Sequence, residues 1–201
     1  ISLFSDSKVD YLFLPDDNEI YPAGFSTYVN NNLEGSNFEG EFRINHFDGV
    51  LTVVAKLINI INPKRIYFGE KDAQQLFLVK KMISDLNFNV SLRSVKTVRE
   101  SIGLACSSRN SYLSSNETND AANIYKSLCM VSDSWKNGEE NFSILKKKFA
   151  ANLKHIKNMK IQYIETVDPD TFSSIERGRK AILIVAVLLG DIRLIDNIRL
   201  D

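Results

Sequence analysis

The first half of the chain alternates short apolar runs with longer segments whose apolar residues recur every three or four positions. Runs of strand length lie at residues 9–14, 65–68 and 89–95. Between them, His46–Ile61 and residues 71–86 have the length and periodicity of amphipathic helices. Strands that alternate with helices at these spacings pair in parallel, and each helix crosses over one face of the sheet. This half of the chain is therefore predicted to be α/β.

Local signals indicate where the first predicted helix ends and which way the second one faces. Asn45 occupies the N-cap position of the first helix, and Asn62-Pro63 is a stop signal after it. A polar connection rich in asparagine and glycine, residues 16–45, precedes this helix. The apolar positions expected on the buried side of the second helix are Leu76, Val79, Ile83 and Leu86.

From residue 113 onward the pattern changes to two helices followed by strands. Ser114 and Glu117 have the spacing of a capping box that opens a helix to about residue 135, and residues 140–156 form a second, basic helix. A turn signal at Gly190-Asp191 predicts a hairpin. The predicted strands are residues 161–167, 181–189 and 192–195. We therefore expect a parallel-sheet domain in residues 1–106 and a smaller α+β domain with a short antiparallel sheet in residues 107–201.

Composition and charge restrict the class of protein. The 201 residues carry 25 basic and 25 acidic side chains, and the resulting zero net charge argues against a nucleic-acid-binding protein. The longest uninterrupted apolar run, Ala181–Leu189, is much shorter than the roughly 20 residues that span a bilayer, so it is interpreted as a buried strand. Two cysteines, Cys106 and Cys129, form no CxxC motif, which favours a reducing, cytoplasmic setting.

The stretch Phe68-Gly69-Glu70-Lys71-Asp72 stands at the carboxyl end of a predicted parallel strand and leads directly into a helix. Open α/β sheets bind ligands at such positions, and a helix start offers free N–H groups and a positive dipole end. With the charge of Lys71 added, phosphate is the expected ligand, and Asp72 is suited to accept hydrogen bonds from ribose hydroxyls. An equally good alternative is that the acidic residues only complement the helix dipole and that Lys71 is solvated.

A second polar stretch, Ser107-Ser108-Arg109-Asn110, follows Gly103. Two hydroxyls and a planar guanidinium are suited to hold phosphate oxygens. Serine and asparagine also favour turns, and taken alone this stretch is better explained as a turn. Because both stretches follow successive strands of one parallel sheet, they are expected to face each other across its carboxyl edge. That coincidence favours a nucleotide site.

Other candidate residues carry weaker signals. Gln74 and Gln75 lie near the helical face of Lys71, and an amide suits a hydroxyl-bearing acid, although a surface glutamine is the commoner explanation. His46 opens a helix at the same sheet edge. The side chains expected to be solvated are His155, Lys146, Lys147, Lys148 and Lys154. No HExxH, P-loop or GxGxxG motif is present, and no metal site is predicted.

Two segments resemble the signature blocks of the pantothenate synthetase (pantoate–β-alanine ligase) family. They are FGEKDAQQL at residues 68–76 and TVRESIGLACSSRNSYLS at residues 97–114. Three more segments are similar to family segments in the same order: FLPDDNEIYP (13–22), FEGEFRINHFDGVLTVVAKL (38–57) and RLIDN (193–197). The resemblance covers essentially the whole chain. It implies that residues 1–106 are the C-terminal portion of a Rossmann-like nucleotidyltransferase domain that binds ATP and pantoate.

The resemblance also implies a two-step reaction. Pantoate attacks ATP, with Mg²⁺, to give pantoyl adenylate and pyrophosphate, and the amine of β-alanine then displaces AMP to give pantothenate. The implied partners are these small molecules, with no nucleic acid and no membrane, and the complete protein is expected to be a homodimer.

The same resemblance assigns roles to individual residues. Lys71 is implied to contact the ATP phosphates, Asp72 the ribose and Gln75 pantoate, and Val98 contacts the adenosine through its backbone. The implied ATP-binding set is Gly69, Glu70, Lys71, Asp72, Val98, Cys106, Ser107, Ser108 and Arg109. Its last four members form a phosphate-facing loop similar to the KMSKS loop of related adenylate-forming enzymes. The residues expected to be catalytic are Lys71, Ser107, Ser108 and Arg109, with His46 as a further candidate.

The chain departs from the family's pattern at three places. Ile44-Asn45 stand where the family has Pro-Gly, and Cys106 stands where a bulkier apolar residue is usual. The family's first strand and helix carry a His-x-x-His-type motif and a glutamine that binds pantoate and β-alanine, and neither has a match here. The chain opens with Ile1, and its first ten residues resemble the tail of a helix entering a strand. We therefore expect the natural protein to begin further upstream and this chain alone to be incomplete as an enzyme.

Two alternative functions stay open from the sequence. A related nucleotidyltransferase would stop after transferring AMP, and a truncated nucleotide-binding remnant would act only as an interaction partner. The paired glutamines and the segment at residues 13–22 favour the ligase, whereas the unmatched start gives the remnant some support.

Overall fold

The computed structural model describes Phe4 and residues 6–201, and its first half is built around a parallel two-stranded sheet. Strands β1 (Arg65–Gly69) and β2 (Ser91–Val95) pair with Arg65 opposite Ser91. The helices of this half include α1 (Asp17–Ile20), α2 (Glu39–Phe42), α3 (His46–Ile61) and α4 (Ala73–Asp85). Helix α4 connects the two strands, which confirms the predicted parallel crossover unit.

The core of this half forms where α3 packs against α4. Phe47, Leu51, Ala55 and Ile58 of α3 contact Leu78, Val79 and Met82 of α4. The predicted buried face of α4 is therefore only partly right, because Val79 is fully buried whereas Leu86 is 52% exposed. Periodicity locates an apolar stripe to within about one position, and the packing partner decides which edge of the stripe is buried.

The strand predicted at residues 9–14 is wrong. This segment is irregular, and its aromatic and aliphatic side chains are exposed, with Tyr11 at 92% and Leu14 at 66%. A strand is stabilised by a hydrogen-bonded neighbour, and among the described residues β1 pairs only with β2. An apolar run without a partner strand has the composition of a strand but not its conformation.

The polar connection at residues 16–45 folds back onto α4 through a buried glutamine. The Gln74 amide donates to the carbonyls of Glu34 (2.7 Å) and Asn37 (2.9 Å), and its oxygen accepts from the N–H of Glu39 (3.1 Å). These bonds replace water at a buried side chain that is only 4% exposed. The connection is consequently an ordered wall rather than a solvated loop.

The second half places two helices on one antiparallel sheet. Helices α5 (Ser115–Lys136) and α6 (Phe142–Leu153) precede β3 (Met159–Val167), β4 (Ala181–Leu189) and β5 (Ile192–Leu200). The strand order is β3-β4-β5, and β4 is buried along nearly its whole length. The predicted capping box at Ser114 and the hairpin at Gly190-Asp191 are both confirmed.

Several predicted details of this half and of α3 need correction. Helix α6 ends at Leu153, before the predicted end at residue 156. Strand β5 continues to Leu200, beyond the predicted end at residue 195. Lys146 is not simply solvated, because its ammonium lies 3.3 Å from Glu165 and 3.2 Å from Glu176. Asn45 stands at the N-cap position of α3 without a side-chain cap bond, and its backbone is left-handed at φ +60°. Asparagine tolerates that conformation better than most residues, so it is compatible with a position where the resembled family has glycine.

Across the described part of the chain, no helix combines the length and the apolar character needed to cross a membrane.

Candidate functional site

A cleft of about 280 Å³ opens where the carboxyl edge of the parallel sheet meets the antiparallel sheet. Most of the side chains singled out in the sequence line it together: His46, Lys71, Asp72, Gln75, Ser107, Ser108 and Arg109. The prediction that the two polar stretches face each other is therefore confirmed. The chain reversal after β1 and the loop after β2 both end at this edge because parallel strands have the same direction.

Four of the sequence candidates lie beside the cleft rather than in its wall. Gly69 ends β1, and the Glu70 carboxylate accepts a hydrogen bond from the Ser94 hydroxyl at 2.9 Å. Val98 and Cys106 are exposed, and the Cys106 N–H donates to the Val98 carbonyl at 2.9 Å. These residues contribute backbone geometry to the edge of the site, which suits a ligand contact made through the main chain.

The turn that presents Lys71 leads directly into α4. The Lys71 ammonium lies 3.5 Å from the Asp72 carboxylate, and the lysine side chain is only 18% exposed. Asp72 is the N-cap residue of α4, and its side chain makes no cap bond. An ammonium, a carboxylate and a helix start thus converge on one wall of the cleft, and the two positive features favour an anion there.

The opposite wall is a 3₁₀-helix, Ser108–Tyr112, that begins after Ser107. The Ser107 hydroxyl accepts from the N–H of Arg109 at 3.3 Å. The Asn110 amide donates to the Glu100 carboxylate (2.8 Å) and to the carbonyl of Ala105 (3.0 Å). The local turn chemistry expected from serine and asparagine is present, and it holds Arg109 at the cleft.

A buried carboxylate network that sequence reasoning missed forms the floor near α2. Glu39 is only 5% exposed and pairs through both carboxylate oxygens with the guanidinium of Arg193, one contact measuring 2.6 Å. The Tyr163 hydroxyl donates to Glu39 at 2.8 Å, and the side-chain amide oxygen of Gln162 accepts from Arg193 at 2.5 Å. Burial and the adjacent Glu39 charge raise the pKa of Tyr163 well above its ordinary value, so the hydroxyl stays protonated.

A second missed ion pair joins the loop after β2 to β5. The guanidinium of Arg99 donates two hydrogen bonds to Asp196, at 2.7 and 2.9 Å, and lies 3.6 Å above the ring centre of Tyr125. Burial alone would lower the pKa of Arg99, but the hydrogen bonds and charge of Asp196 outweigh it and raise the pKa. Gly103 allows this close packing, because a Cβ there would lie 2.9 Å from the Tyr125 ring.

His46 is held in one tautomer by its neighbour Arg43. The Arg43 guanidinium lies 2.7 Å from Nε2 of His46, and since arginine only donates, Nε2 must accept and the ring proton sits on Nδ1. Burial and the positive charge of Arg43 lower the pKa of His46. At neutral pH the imidazole is therefore neutral, and it orients Arg43 toward the cleft.

The lowered pKa of His46 has a consequence for stability. The unfolded chain takes up this proton near pH 6.5, whereas the folded chain resists it, so folding becomes less favourable as the pH falls through that region. We expect His46→Gln to flatten the loss of unfolding free energy between pH 7.5 and pH 5.5, measured by urea unfolding. His155→Gln, at an exposed position, is the matched control. Parallel curves for wild type and His46→Gln would contradict this account.

No group of three or more His, Cys, Asp or Glu side chains in metal-binding proximity occurs in Phe4 and residues 6–201. The acidic groups at the turn are Glu70, which is hydrogen-bonded to Ser94, and Asp72. Mg²⁺ usually binds through one or two carboxylates together with substrate phosphates, and the two carboxylates of this turn meet that limited requirement.

The parallel crossover unit, with a glycine at the end of β1 and cationic side chains at its carboxyl edge, defines an α/β protein whose cleft lies at the sheet edge where open parallel sheets bind ligands. The family model for pantoate-beta-alanine ligase matches residues 1–199, and the chain belongs to that family.

Relatives and solved structures agree with this assignment. The chain is 47% identical over 198 residues to the pantothenate synthetase of Caldicellulosiruptor saccharolyticus and 43% identical over 198 residues to that of Thermosipho africanus. The matches cover 98% of this chain and 70% and 71% of those relatives.

Two solved structures extend the comparison. The pantothenate synthetase of Thermus thermophilus superposes with a TM-score of 0.93 at 38% identity, covering 98% of this chain and 72% of that one. The pantoate-beta-alanine ligase of Francisella tularensis, complexed with beta-gamma ATP and beta-alanine, superposes with a TM-score of 0.74 at 31% identity. That match covers 98% of this chain and 67% of the other. The expected Rossmann-like architecture with a smaller α+β part is confirmed.

Proposed function

We propose that this protein catalyses the ATP-dependent condensation of pantoate with β-alanine to pantothenate through a pantoyl-adenylate intermediate. The observation that best supports this proposal is that one cleft is lined by residues from both signature segments, namely Lys71, Gln75 and Arg109. In the first step a carboxylate oxygen of pantoate attacks the α-phosphorus of ATP and pyrophosphate leaves. In the second, the amine of β-alanine attacks the acyl carbon, loses a proton, and AMP leaves.

The ATP end of the proposed site is the wall formed by the turn at residues 69–72 and the loop at residues 106–109. Lys71 and Arg109 stabilise the negative charge that develops on pyrophosphate as it departs, while Ser107 and Ser108 donate hydrogen bonds to phosphate oxygens. Glu70 and Asp72 are at the turn, where Asp72 is assigned to the ribose. Gly69, Val98 and Cys106 would contact the nucleotide through the backbone.

Magnesium would enter with the ATP phosphates and supply further charge neutralisation when bound. Glu70 already accepts a hydrogen bond and Asp72 is assigned to the ribose, so the magnesium ion would be held mainly by the ATP phosphates and water. The protein's own contribution is to hold the phosphates between Lys71 and Arg109.

Three further features belong to the same proposal. The complete protein is a homodimer with small-molecule partners only, and it works in the cytoplasm, where Cys106 and Cys129 stay free thiols. The boundary between the nucleotide-binding part and the smaller α+β part lies between residues 106 and 107.

An assay that follows both products tests this function. We expect the full-length protein to form pyrophosphate when given Mg²⁺, ATP and pantoate, and to form AMP and pantothenate only after β-alanine is added. Release of pyrophosphate with AMP retained on an acceptor other than pantoate would indicate the nucleotidyltransferase alternative. ATP binding without any turnover of the full-length protein would indicate the binding remnant.

The two adjacent glutamines provide a matched test of the pantoate end. Both glutamines line the cleft, but the Gln74 amide is engaged by three hydrogen bonds to backbone atoms of residues 34–39. We expect Gln75→Ala to raise the KM for pantoate about tenfold with little change in kcat, because an amide that holds a hydroxyl binds ground and transition states alike. Gln74→Ala should instead lower the unfolding free energy by about 1–3 kcal/mol, since it leaves buried backbone groups unpaired. Steady-state kinetics and urea unfolding of both variants measure the contrast, and an unchanged KM for pantoate in Gln75→Ala would remove that assignment.

A further inference from the structure

A single side chain of β5 holds the backbone of the turn that presents Lys71. The amide nitrogen of Asn197 donates to the carbonyl of Glu70 and to the carbonyl of Lys71, both at 2.9 Å. Asn197 is 9% exposed and lies more than a hundred residues from the turn along the chain. Both donors of one amide are thus used on two consecutive carbonyls of one turn.

The turn is held from two sides, and Asn197 is the contact from the antiparallel sheet. On the side of the parallel sheet, the N–H of Glu70 donates to the Val95 carbonyl at 2.8 Å, and Ser94 donates to the Glu70 carboxylate. Those contacts anchor Glu70 only. The Lys71 carbonyl is oriented by Asn197, so the amide also sets the peptide plane through which α4 begins.

Adjacent residues of β5 form hydrogen bonds to both walls of the cleft, because successive side chains of a strand point to opposite faces. Asn197 points to the turn at residues 70–71, and its neighbour Asp196 points to Arg99 on the opposite face. The β5 backbone therefore fixes the spacing between the wall that carries Lys71 and the loop that leads to Arg109.

We infer that Asn197 is a positioning residue for ATP, acting through the backbone of Glu70 and Lys71 rather than by contact with the reacting atoms. This inference rests on the proposed function of the cleft. Without the amide, two partly buried carbonyls lose their donor and the turn relaxes toward other partners, so the ammonium of Lys71 is no longer held ready for phosphate.

The test uses variants of Asn197 that remove its hydrogen-bond donors but keep the approximate shape of its side chain. Asn197→Leu keeps the approximate shape and neutrality but removes both donors, and Asn197→Asp keeps the shape but replaces the donors with a charged acceptor. Asn123→Leu is the matched control, because the Asn123 amide also donates to two backbone carbonyls, at 3.0 and 3.1 Å, but on α5 away from the cleft.

We expect Asn197→Leu and Asn197→Asp in the full-length protein to raise the KM for ATP about tenfold, the effect of losing a hydrogen bond at a partly buried carbonyl. The KM for pantoate should stay within about twofold, and Asn123→Leu should change neither value. A KM does not depend on the fraction of molecules that is folded. A purely structural role of Asn197 would therefore lower the melting temperature and the apparent kcat but would leave the KM for ATP unchanged.

Binding of the α,β-methylene analogue of ATP, in which the bond that the proposed reaction breaks is blocked, is measured by calorimetry and tests the proposed function and the role of Asn197 separately. A wild-type protein that does not bind the analogue contradicts the proposed function itself. A wild type that binds it, together with an Asn197→Leu variant that binds it equally well, overturns only the positioning role of Asn197.

Discussion

Replacing Lys71 by alanine in the full-length protein is expected to lower kcat for adenylate formation by about 10²–10³-fold, the usual effect of removing one preorganised charge-stabilising group. The ammonium is largely shielded from solvent, which strengthens its interaction with a bound phosphate. Its effect should fall mainly on kcat, because negative charge redistributes toward pyrophosphate only as the transition state forms. Pyrophosphate release with ATP and pantoate varied in turn measures this.

A lysine on α4, the helix that follows this turn, provides the control for this result. Lys81 pairs with Asp85 at 3.1 Å on the exposed side of α4, so Lys81→Ala should keep wild-type kinetics. Both variants should keep the unfolding free energy within about 0.5 kcal/mol, as is usual for substitutions outside the core. Near-normal kcat for Lys71→Ala would remove the phosphate-binding assignment of the whole turn at residues 69–72.

The largest expected effect on stability comes from Asp196. Its carboxylate is 5% exposed, and Asp196→Ala would leave the half-buried guanidinium of Arg99 without its counter-charge. We expect a loss of about 3–5 kcal/mol in the free energy of unfolding, the usual cost of removing one partner of a buried ion pair. Urea unfolding monitored by circular dichroism measures it.

Two comparisons show whether the uncompensated charge causes that loss. The double variant Arg99→Met/Asp196→Ala should be more stable than Asp196→Ala, because it no longer buries a lone cation. Asp170→Ala should cost no more than about 1 kcal/mol, since Asp170 and Lys180 form an exposed pair. If Asp196→Ala costs as little as Asp170→Ala, the pair is not a structural tie between the loop and β5.

Local patterns in the sequence were sufficient for the elements whose stability is decided nearby. The helix of His46–Ile61 has the predicted bounds, and the capping box at Ser114 and the hairpin after Leu189 form where the sequence indicates. The two polar stretches also reach one cleft, because the direction of parallel strands carries their following loops to the same edge. The roles of the individual residues in that cleft stay predictions.

The failures lie where a distant partner decides the outcome. The apolar run at residues 9–14 has strand composition, but a strand also needs a neighbour to receive its backbone hydrogen bonds. Gln74 was indistinguishable from Gln75 in sequence, and only the fold of residues 34–39 onto α4 buries Gln74 and occupies its amide with backbone hydrogen bonds.

The sequence by itself determined the α/β alternation, the antiparallel hairpin and the set of side chains able to meet a phosphate, since these follow from periodicity, caps and the ends of strands. Only the tertiary structure decided that β5 is part of the site. Arg193 meets a carboxylate 154 residues away, and Asn197 reaches the turn before α4. No local pattern encodes such pairs, because their energy comes from burial and hydrogen bonding between segments that become neighbours only when the two sheets pack together.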